Sequence, residues 1–391
     1  LGLLGMVADA VLDGEVATTQ AVPIAITYEK VVEAGSYARE LAGGEKRKED
    51  LGALLGARRV LRSRNGRIDL RIGEPFGIAE ALASAGAPIG APEAVRKAAV
   101  RRLGHRVMYA IGQTTPVTPS ALVAASCLAT VTRAIRRSDL DRRASWLAAR
   151  ARARGARFAT ALAEDFGGAI TRALGLLASS GDVEVRGDEG DGLIVVPDER
   201  RIRLEYYKNN LIHALGDASI VARAILVGAR GAETVTTAVV RERALIASRL
   251  LKNELIFRPG AGFDSIFVGI LDELEADAWI HRDGDRIVPT AEGREALPVL
   301  AGLTASYLEA YRHTVRTVET SPMIAGREFS AKLVSVGERA LLLGNLRRSE
   351  AISRPIFESA VDFLRVEGAL NDRGKLERIA ADLEAVLFAE V

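Results

Sequence analysis

The chain has 391 residues, 48% hydrophobic and 27% charged, which is enough apolar surface to offset the entropy of ordering and excludes a disordered chain. A net charge of only +2 excludes a uniformly cationic coat, and a single cysteine, Cys127, excludes an intrachain disulfide. The length leaves room for two or three domains at about 100 to 200 residues each.

Apolar residues at helical spacing from Gly2 to Leu12, closed by Asp13-Gly14, predict a helix. It feeds Val22-Pro-Ile-Ala-Ile-Thr-Tyr28, a branched apolar run with proline near its start, which predicts a buried strand. In Arg67-Ile-Asp-Leu-Arg-Ile72 apolar residues alternate with polar ones, predicting a second strand and hence an α/β layer. The Gly, Ala and Pro of Pro75 to Pro92 mark the exit from that layer, dividing the chain into domains at 1–90 and 91–391.

The second part reads as mostly helical, with helices expected over Ala94 to Ile111, Pro119 to Arg137 and Ala144 to Leu177. Cys127 lies among small apolar residues, the setting of a packed helix thiol and not of a nucleophile. Strands are predicted at Val183-Glu-Val185, Leu193-Ile-Val-Val196 and Arg201-Ile-Arg-Leu-Glu205, a small antiparallel sheet near 183–205. Helices resume at Tyr206 to Leu215, Ile220 to Leu226 and Thr236 to Leu255. Phe263 to Thr290 and Ile352 to Asp372 each place a helix before a turn, giving winged-helix-like ends, and Asp283-Gly284 predicts a hairpin. No internal repeat of fixed period is legible, and charges interrupt every apolar run before the about 18 to 20 residues that cross a bilayer.

Charge is uneven along the chain. Arg39 to Arg71 holds ten Lys or Arg against five Asp or Glu, and Arg133 to Arg157 nine Arg against two Asp. Such stretches attract phosphates, anionic headgroups or nucleic acid, unless they form solvated helix faces.

The segment from Val22 through Tyr28-Glu29, Ser36-Tyr37 and Glu40-Leu41 to the lysine cluster Lys46-Arg-Lys48 resembles the fourth acyltransferase block of the bacterial PlsB type of glycerol-3-phosphate acyltransferase. Further resemblances follow in the family's order at Gly73-Glu-Pro75, Leu103-Gly-His105, Thr115-Pro-Val-Thr-Pro-Ser-Ala-Leu122, Leu204-Glu-Tyr-Tyr-Lys-Asn-Asn-Leu-Ile-His213 and Leu251-Lys-Asn-Glu-Leu-Ile-Phe257. The resemblance implies the C-terminal part of an α/β acyltransferase domain followed by a mostly helical domain. It also implies acyl transfer from acyl-CoA or acyl carrier protein to the sn-1 hydroxyl of glycerol 3-phosphate for phospholipid synthesis, with no cofactor or metal. The expected setting is peripheral, on an anionic membrane surface at the cytoplasmic face of the cell membrane.

That reaction uses a His-x4-Asp motif, the imidazole taking the hydroxyl proton while the aspartate orients it. None of the four histidines has it: His105 is followed at the fifth position by Ala110, His213 by Ala218, His281 by Arg286 and His313 by Val318. The catalytic histidine is therefore expected upstream of Leu1, and the chain alone is expected to be inactive. His213 and Asp217, four apart, share a helix face and read as structural. The resemblance gives the cleft wall to Val22, Pro23 and Ile24, with Tyr28 and Glu29 beyond, a plain core strand being the alternative; Lys46 and Lys48 form a solvated loop or steer an anionic substrate. Tyr206 to His213 reads first as interdomain packing. Acylation of dihydroxyacetone phosphate is a close alternative. A winged-helix regulator bound to DNA is a remote one, since Asp283 and Asp285 stand in the hairpin loop that would face phosphates; nucleic acid is not an expected partner.

Overall fold

A computed structural model of the protein describes residues 2–16, 18–30, 66–187, 191–321 and 327–387. The first helix, α1 (Gly2–Leu12), forms where apolar periodicity places it. Short strands follow: β1 (Gln20–Ala21), β2 (Ile24–Tyr28), β3 (Ile68–Ile72) and β4 (Phe76–Gly77), then helix α2 (Ile78–Ser84). Strand β2 pairs antiparallel with β3, setting Ile24 opposite Ile72, Ile26 opposite Leu70 and Tyr28 opposite Ile68. The α/β layer is thus an antiparallel ribbon backed by helices, and β1 pairs separately with β4. Val11 and Leu12 of α1, Leu82 of α2 and Leu103 of the next helix close a small apolar core beside it.

The expectation of a buried β2 fails on one face. Ala25 and Thr27 are buried, whereas Ile24, Ile26, Tyr28, Ile68, Leu70 and Ile72 are between 44% and 65% exposed. An apolar run without alternation does not specify which face turns inward, because successive side chains point to opposite sides whatever their chemistry. The neighbouring helix α3 (Glu93–Thr114) comes close to the small side chains. Gly73, just past β3, shows how close: a Cβ there would lie 2.2 Å from Thr114 Oγ1 and 2.8 Å from Pro23 Cγ.

The body of the molecule is helical. Helix α4 (Pro119–Leu128) starts with Pro119 in its first turn and Thr118 accepting the Ala121 N–H, and it is buried all round. It ends well short of Arg137, because Ala134–Arg136 forms strand β5 instead. The single helix expected over 144–177 is three: α5 (Arg137–Ala153), α6 (Thr160–Glu164) and α7 (Phe166–Ser179). Gly155, at φ +75°, ends the first, and the Asp165 carboxylate caps the third by accepting the Gly168 N–H at 2.9 Å. After β6 (Glu184–Arg186) and β7 (Leu193–Val195) comes α8 (Asp198–Ala229), 32 residues long. It absorbs the strand expected at 201–205, since Leu204, Tyr207, Leu211 and Leu215 follow helical spacing into the core and Asp198 and Glu199 favour a helix start. Against the expectation that charges interrupt every apolar run, this helix is long and apolar enough to span a bilayer, but 72% of its apolar window is buried inside the fold. It packs against α4 and against two later helices.

The later elements are β8 (Val235–Thr236), α9 (Thr237–Leu250), α10 (Phe263–Ala276), β9 (Ile280–Asp283), β10 (Arg286–Pro289), α11 (Ala291–Ala301), a 3₁₀ turn Gly302–Thr304, α12 (Ala305–Thr320), α13 (Arg327–Leu342), a 3₁₀ turn Ser349–Ala351, α14 (Arg354–Val366) and α15 (Arg373–Val386). The hairpin at Asp283-Gly284 forms as predicted, with Gly284 at φ +61° and Asp283 paired to Arg286.

A repeat absent from the sequence emerges in the topology. From α4 the chain runs helix, strand, helices, strand, strand, and its sheet has the order β5-β7-β6. From α8 the same succession gives β8-β10-β9. Both are winged-helix arrangements, whereas the sequence suggested such ends at 263–290 and 352–372. Helices α7 and α10 each have 14 residues and close with the same C-terminal bonds: Asp182 N to Leu177 O and Trp279 N to Leu274 O, with Gly181 at φ 70° and Ala278 at φ 57°. The two units diverge in sequence because the topology requires only apolar residues at helical spacing and a left-handed residue at each turn.

Charges are matched inside this body. Glu350 accepts from Arg201 Nε at 2.6 Å and from Arg201 Nη2 at 2.8 Å, and Arg348 Nη1 donates to the Leu128 carbonyl at 2.7 Å. Lys208 Nζ is held by Glu205 and the Leu303 carbonyl, each at 2.7 Å. Tyr307 donates to Asn209 at 2.8 Å. These bonds hold Lys208 and Asn209 in packing within residues 91–391, not between the two expected domains, because their partners come from α8 itself and from the segment 303–307.

Candidate functional site

Pro23 enters β2 at the mouth of an open groove of about 410 Å³, and the chain immediately after β3 fixes its position. Gly73 N donates to the Pro23 carbonyl at 2.8 Å, and the absence of a side chain at Gly73 lets Pro23 approach Thr114. Beyond Pro23 the groove is lined by Glu74, Phe76, Arg106, Arg157 and Arg258, among others. Arg106 comes from α3, Arg157 from the loop after α5 and Arg258 from the loop after α9. The Arg106 guanidinium lies 4.7 Å from the centre of the Phe76 ring. The side chains of Arg157 and Arg258 make no hydrogen bond or ion pair to another described residue.

A second cavity, about 170 Å³, adjoins the groove through Tyr109, Gln113 and Arg258, and contains His213, Asp217, Arg154 and Glu273. Here the charges balance: both carboxylate oxygens of Asp217 accept from Arg154 Nη2, at 2.8 and 2.7 Å, and Glu273 accepts from Arg154 Nη1 at 2.7 Å. His213 Nε2 is buried without a partner among the described residues. Burial pushes this imidazole down to about 4 against its hydrogen bond to the Thr115 backbone, so it is neutral at physiological pH. Asp217 stands one helical turn away, as the spacing predicts, but it is spent on Arg154 and does not orient the imidazole. His313 is buried against the Leu333 carbonyl at 3.0 Å, and burial also lowers its pKa. His281 is exposed. No described histidine therefore has the aspartate-oriented arrangement of a general base. Burial pushes the Cys127 thiol up to about 12, leaving it unreactive.

The structure separates the candidate residues drawn from the sequence. Pro23 lines the groove. Val22, Ile24 and Tyr28 are exposed, Ile24 and Tyr28 on the outer face of the ribbon. Glu29 is turned to structure: its carboxylate accepts the Arg67 N–H at 3.0 Å, and its carbonyl accepts the buried Ser120 hydroxyl at 2.6 Å. Lys46 and Lys48, like the cluster from Arg39 to Arg64, lie outside the described residues. Arg157 ends the basic stretch from Arg133, but nothing in the sequence ties it to Arg106 or Arg258, and only the meeting of three distant segments brings the three together.

The strongly basic stretch from Arg133 to Arg157 is largely neutralised in the fold. Arg133 pairs with Asp198, Arg136 with Asp191, Arg137 with Asp141, Arg142 with Asp139 and Glu295, Arg150 with Asp277, and Arg154 with Asp217. The expected excess of seven positive charges is therefore not presented as one field. In the second winged-helix unit the carboxylates of α10 are matched in turn, Asp264 by Arg241, Asp272 and Glu275 by Arg282, and Glu273 by Arg154. Among the described residues there is no cluster of three or more His, Cys, Asp or Glu able to hold a metal ion. A family model described as the glycerol-3-phosphate acyltransferase C-terminal region matches residues 37–373.

Proposed function

The chain belongs to the glycerol-3-phosphate acyltransferase C-terminal region family, and from that premise we propose that it forms the later part of a glycerol-3-phosphate 1-O-acyltransferase. The family makes this an acyltransferase whose substrates are glycerol 3-phosphate and an acyl donor. In the proposed reaction a base removes the sn-1 hydroxyl proton, the oxygen attacks the thioester carbonyl of acyl-CoA or acyl carrier protein, and the thiolate leaves. The product is lysophosphatidic acid.

The base belongs to a His-x4-Asp block on polypeptide other than these residues, because no histidine in this chain has aspartate at the fifth position. Residues 1–90 then form the edge of the acyltransferase domain, and Pro23 lines the substrate cleft. The observation that carries this reading is the ribbon itself. Six apolar residues, Ile24, Ile26, Tyr28, Ile68, Leu70 and Ile72, pair across it and stay open on one face. A two-stranded ribbon is marginal by itself, and an apolar face of this kind marks a surface that another element covers. The remaining acyltransferase half, which brings the base, is the proposed cover. The enzyme is placed at the cytoplasmic face of the membrane, where its lipid substrates and product partition, and exposed Leu3 and Met6 of α1 are compatible with peripheral contact.

The test is an acyl-transfer assay on the chain alone and on an intact polypeptide that includes a His-x4-Asp block. Activity is expected only in the second, and Ile26→Asp with Leu70→Asp is expected to abolish it. Esterification of glycerol 3-phosphate by the chain unaided would sink the division of labour. Flotation of the intact enzyme with anionic and neutral liposomes tests the placement, and failure to float with either rejects it.

A further inference from the structure

Resting on the acyltransferase reading, we propose that the groove beyond Pro23 is a phosphate-ester subsite, in which the guanidinium groups of Arg106, Arg157 and Arg258 hold the phosphate of a substrate. Three cations and one carboxylate, Glu74, line this groove. The adjoining cavity shows that carboxylates are within reach of this part of the fold. Arg154, three residues before Arg157, is clamped by Asp217 and Glu273, while Arg157 and Arg258 have no partner among the described residues. Like charges lining one groove raise its energy when it is empty, and an anion lowers it.

The geometry favours phosphate over a diffuse counter-ion. The Arg106 guanidinium lies over the Phe76 ring, a cation–π contact that steadies it without using its N–H donors. A planar fork of donors suits the tetrahedral oxygens of a phosphate monoester, and three forks from separate segments can share one phosphate. The groove, at about 410 Å³, falls within the roughly 300 to 1,000 Å³ of small-molecule sites. Pro23 lines the same groove, so a phosphate held there lies beside the strand that resembles the family's cleft wall. Two sources supply this chemistry: the phosphate of glycerol 3-phosphate, and the phosphate groups of the acyl donor's carrier.

Calorimetric titration of the full chain with inorganic phosphate, glycerol 3-phosphate, coenzyme A and, as a neutral control, glycerol tests the proposal. Arg106→Gln, Arg157→Gln and Arg258→Gln together are expected to weaken binding of the phosphate compounds by about tenfold or more and to flatten its salt dependence. The charge-matched control Arg286→Gln, Arg294→Gln, Arg378→Gln, at exposed positions outside the groove, is expected to bind as the wild type does. Arg157→Gln and Arg258→Gln, singly on loops, give the same comparison should the triple variant unfold. The compound whose affinity falls most identifies the source. The proposal is overturned if the wild type binds none of the phosphate compounds, or if the groove and control variants bind them equally. Should the intact enzyme fail to acylate glycerol 3-phosphate while the groove variants still lose phosphate binding, the acyltransferase reading falls and the subsite stands.

Discussion

The helical body and the ribbon edge use the same residue types to opposite ends. In the body, Arg201, Arg348 and Lys208 are buried and every one is met by a carboxylate or carbonyl. At the edge, Arg157 and Arg258 point into an open groove without a partner among the described residues. Isoleucine and leucine divide in the same way: Leu204, Leu211 and Leu215 are fully buried along α8, while Ile68, Leu70 and Ile72 are left open. The difference teaches where folding free energy has been satisfied internally and where it has been left for a partner, because an unpaired charge or an uncovered apolar face costs the isolated molecule what a bound one recovers.

The largest effect should come from breaking the matched body. Glu350→Ala strands the buried Arg201 and Arg348 guanidinium groups and is expected to cost about 3 to 5 kcal/mol, read as a fall in urea midpoint. Gly73→Ala, at the border between the two regions, drives a methyl group into Thr114 and Pro23 and is expected to cost about 1 to 3 kcal/mol. It should also weaken ligand binding in the groove, because the Pro23 wall shifts with it. The repeated helix ends differ by one residue type: Gly181 adopts its left-handed conformation without strain and Ala278 does not. Ala278→Gly should therefore stabilise and raise the melting temperature, since the about 1 to 2 kcal/mol of left-handed strain it relieves exceeds the about 0.4 to 1 kcal/mol of entropy it adds to the unfolded chain, and Gly181→Ala should do the reverse. Leu70→Thr on the open face should leave stability of the chain within about 0.5 kcal/mol, and a larger loss would show that this face is already covered.

Acid should act on the body before the edge. Burial opposes the charge of Glu350, but Arg201 and Arg348 hold it down to about 2, below its ordinary 4.5. Its contribution is complete above the unfolded value and is lost as pH falls from 4.5 through 2. His213 is held to about 4 against an ordinary 6.5, so the unfolded chain takes up a proton first and stability declines as pH falls from 6.5 toward 4. Urea midpoints measured from pH 7 to 4 should therefore fall for the wild type, and His213→Gln should shrink the part of that fall that begins near 6.5, leaving the share that the buried His313 contributes.

Much of the architecture was legible wherever a local signal is also the deciding one. The helix Gly2–Leu12, the strands near 24–28 and 68–72, and the hairpin at Asp283-Gly284 follow from periodicity and turn chemistry. The family resemblance was legible too, through a run of motifs in a fixed order, and the family match bears it out. Tertiary structure alone decided the rest. It drew Arg201 to Glu205 into a helix, because a buried carboxylate at Glu350 and core apolar neighbours outweigh a short alternation. It neutralised most of the arginines between 133 and 154 with carboxylates from as far along the chain as Glu295. It duplicated a winged-helix topology without duplicating a sequence, and it brought Arg106, Arg157 and Arg258 to one groove. The physical reason is common to all four: a sequence specifies the spacing of neighbours along the chain, whereas pairing energies depend on distances in space that only packing sets.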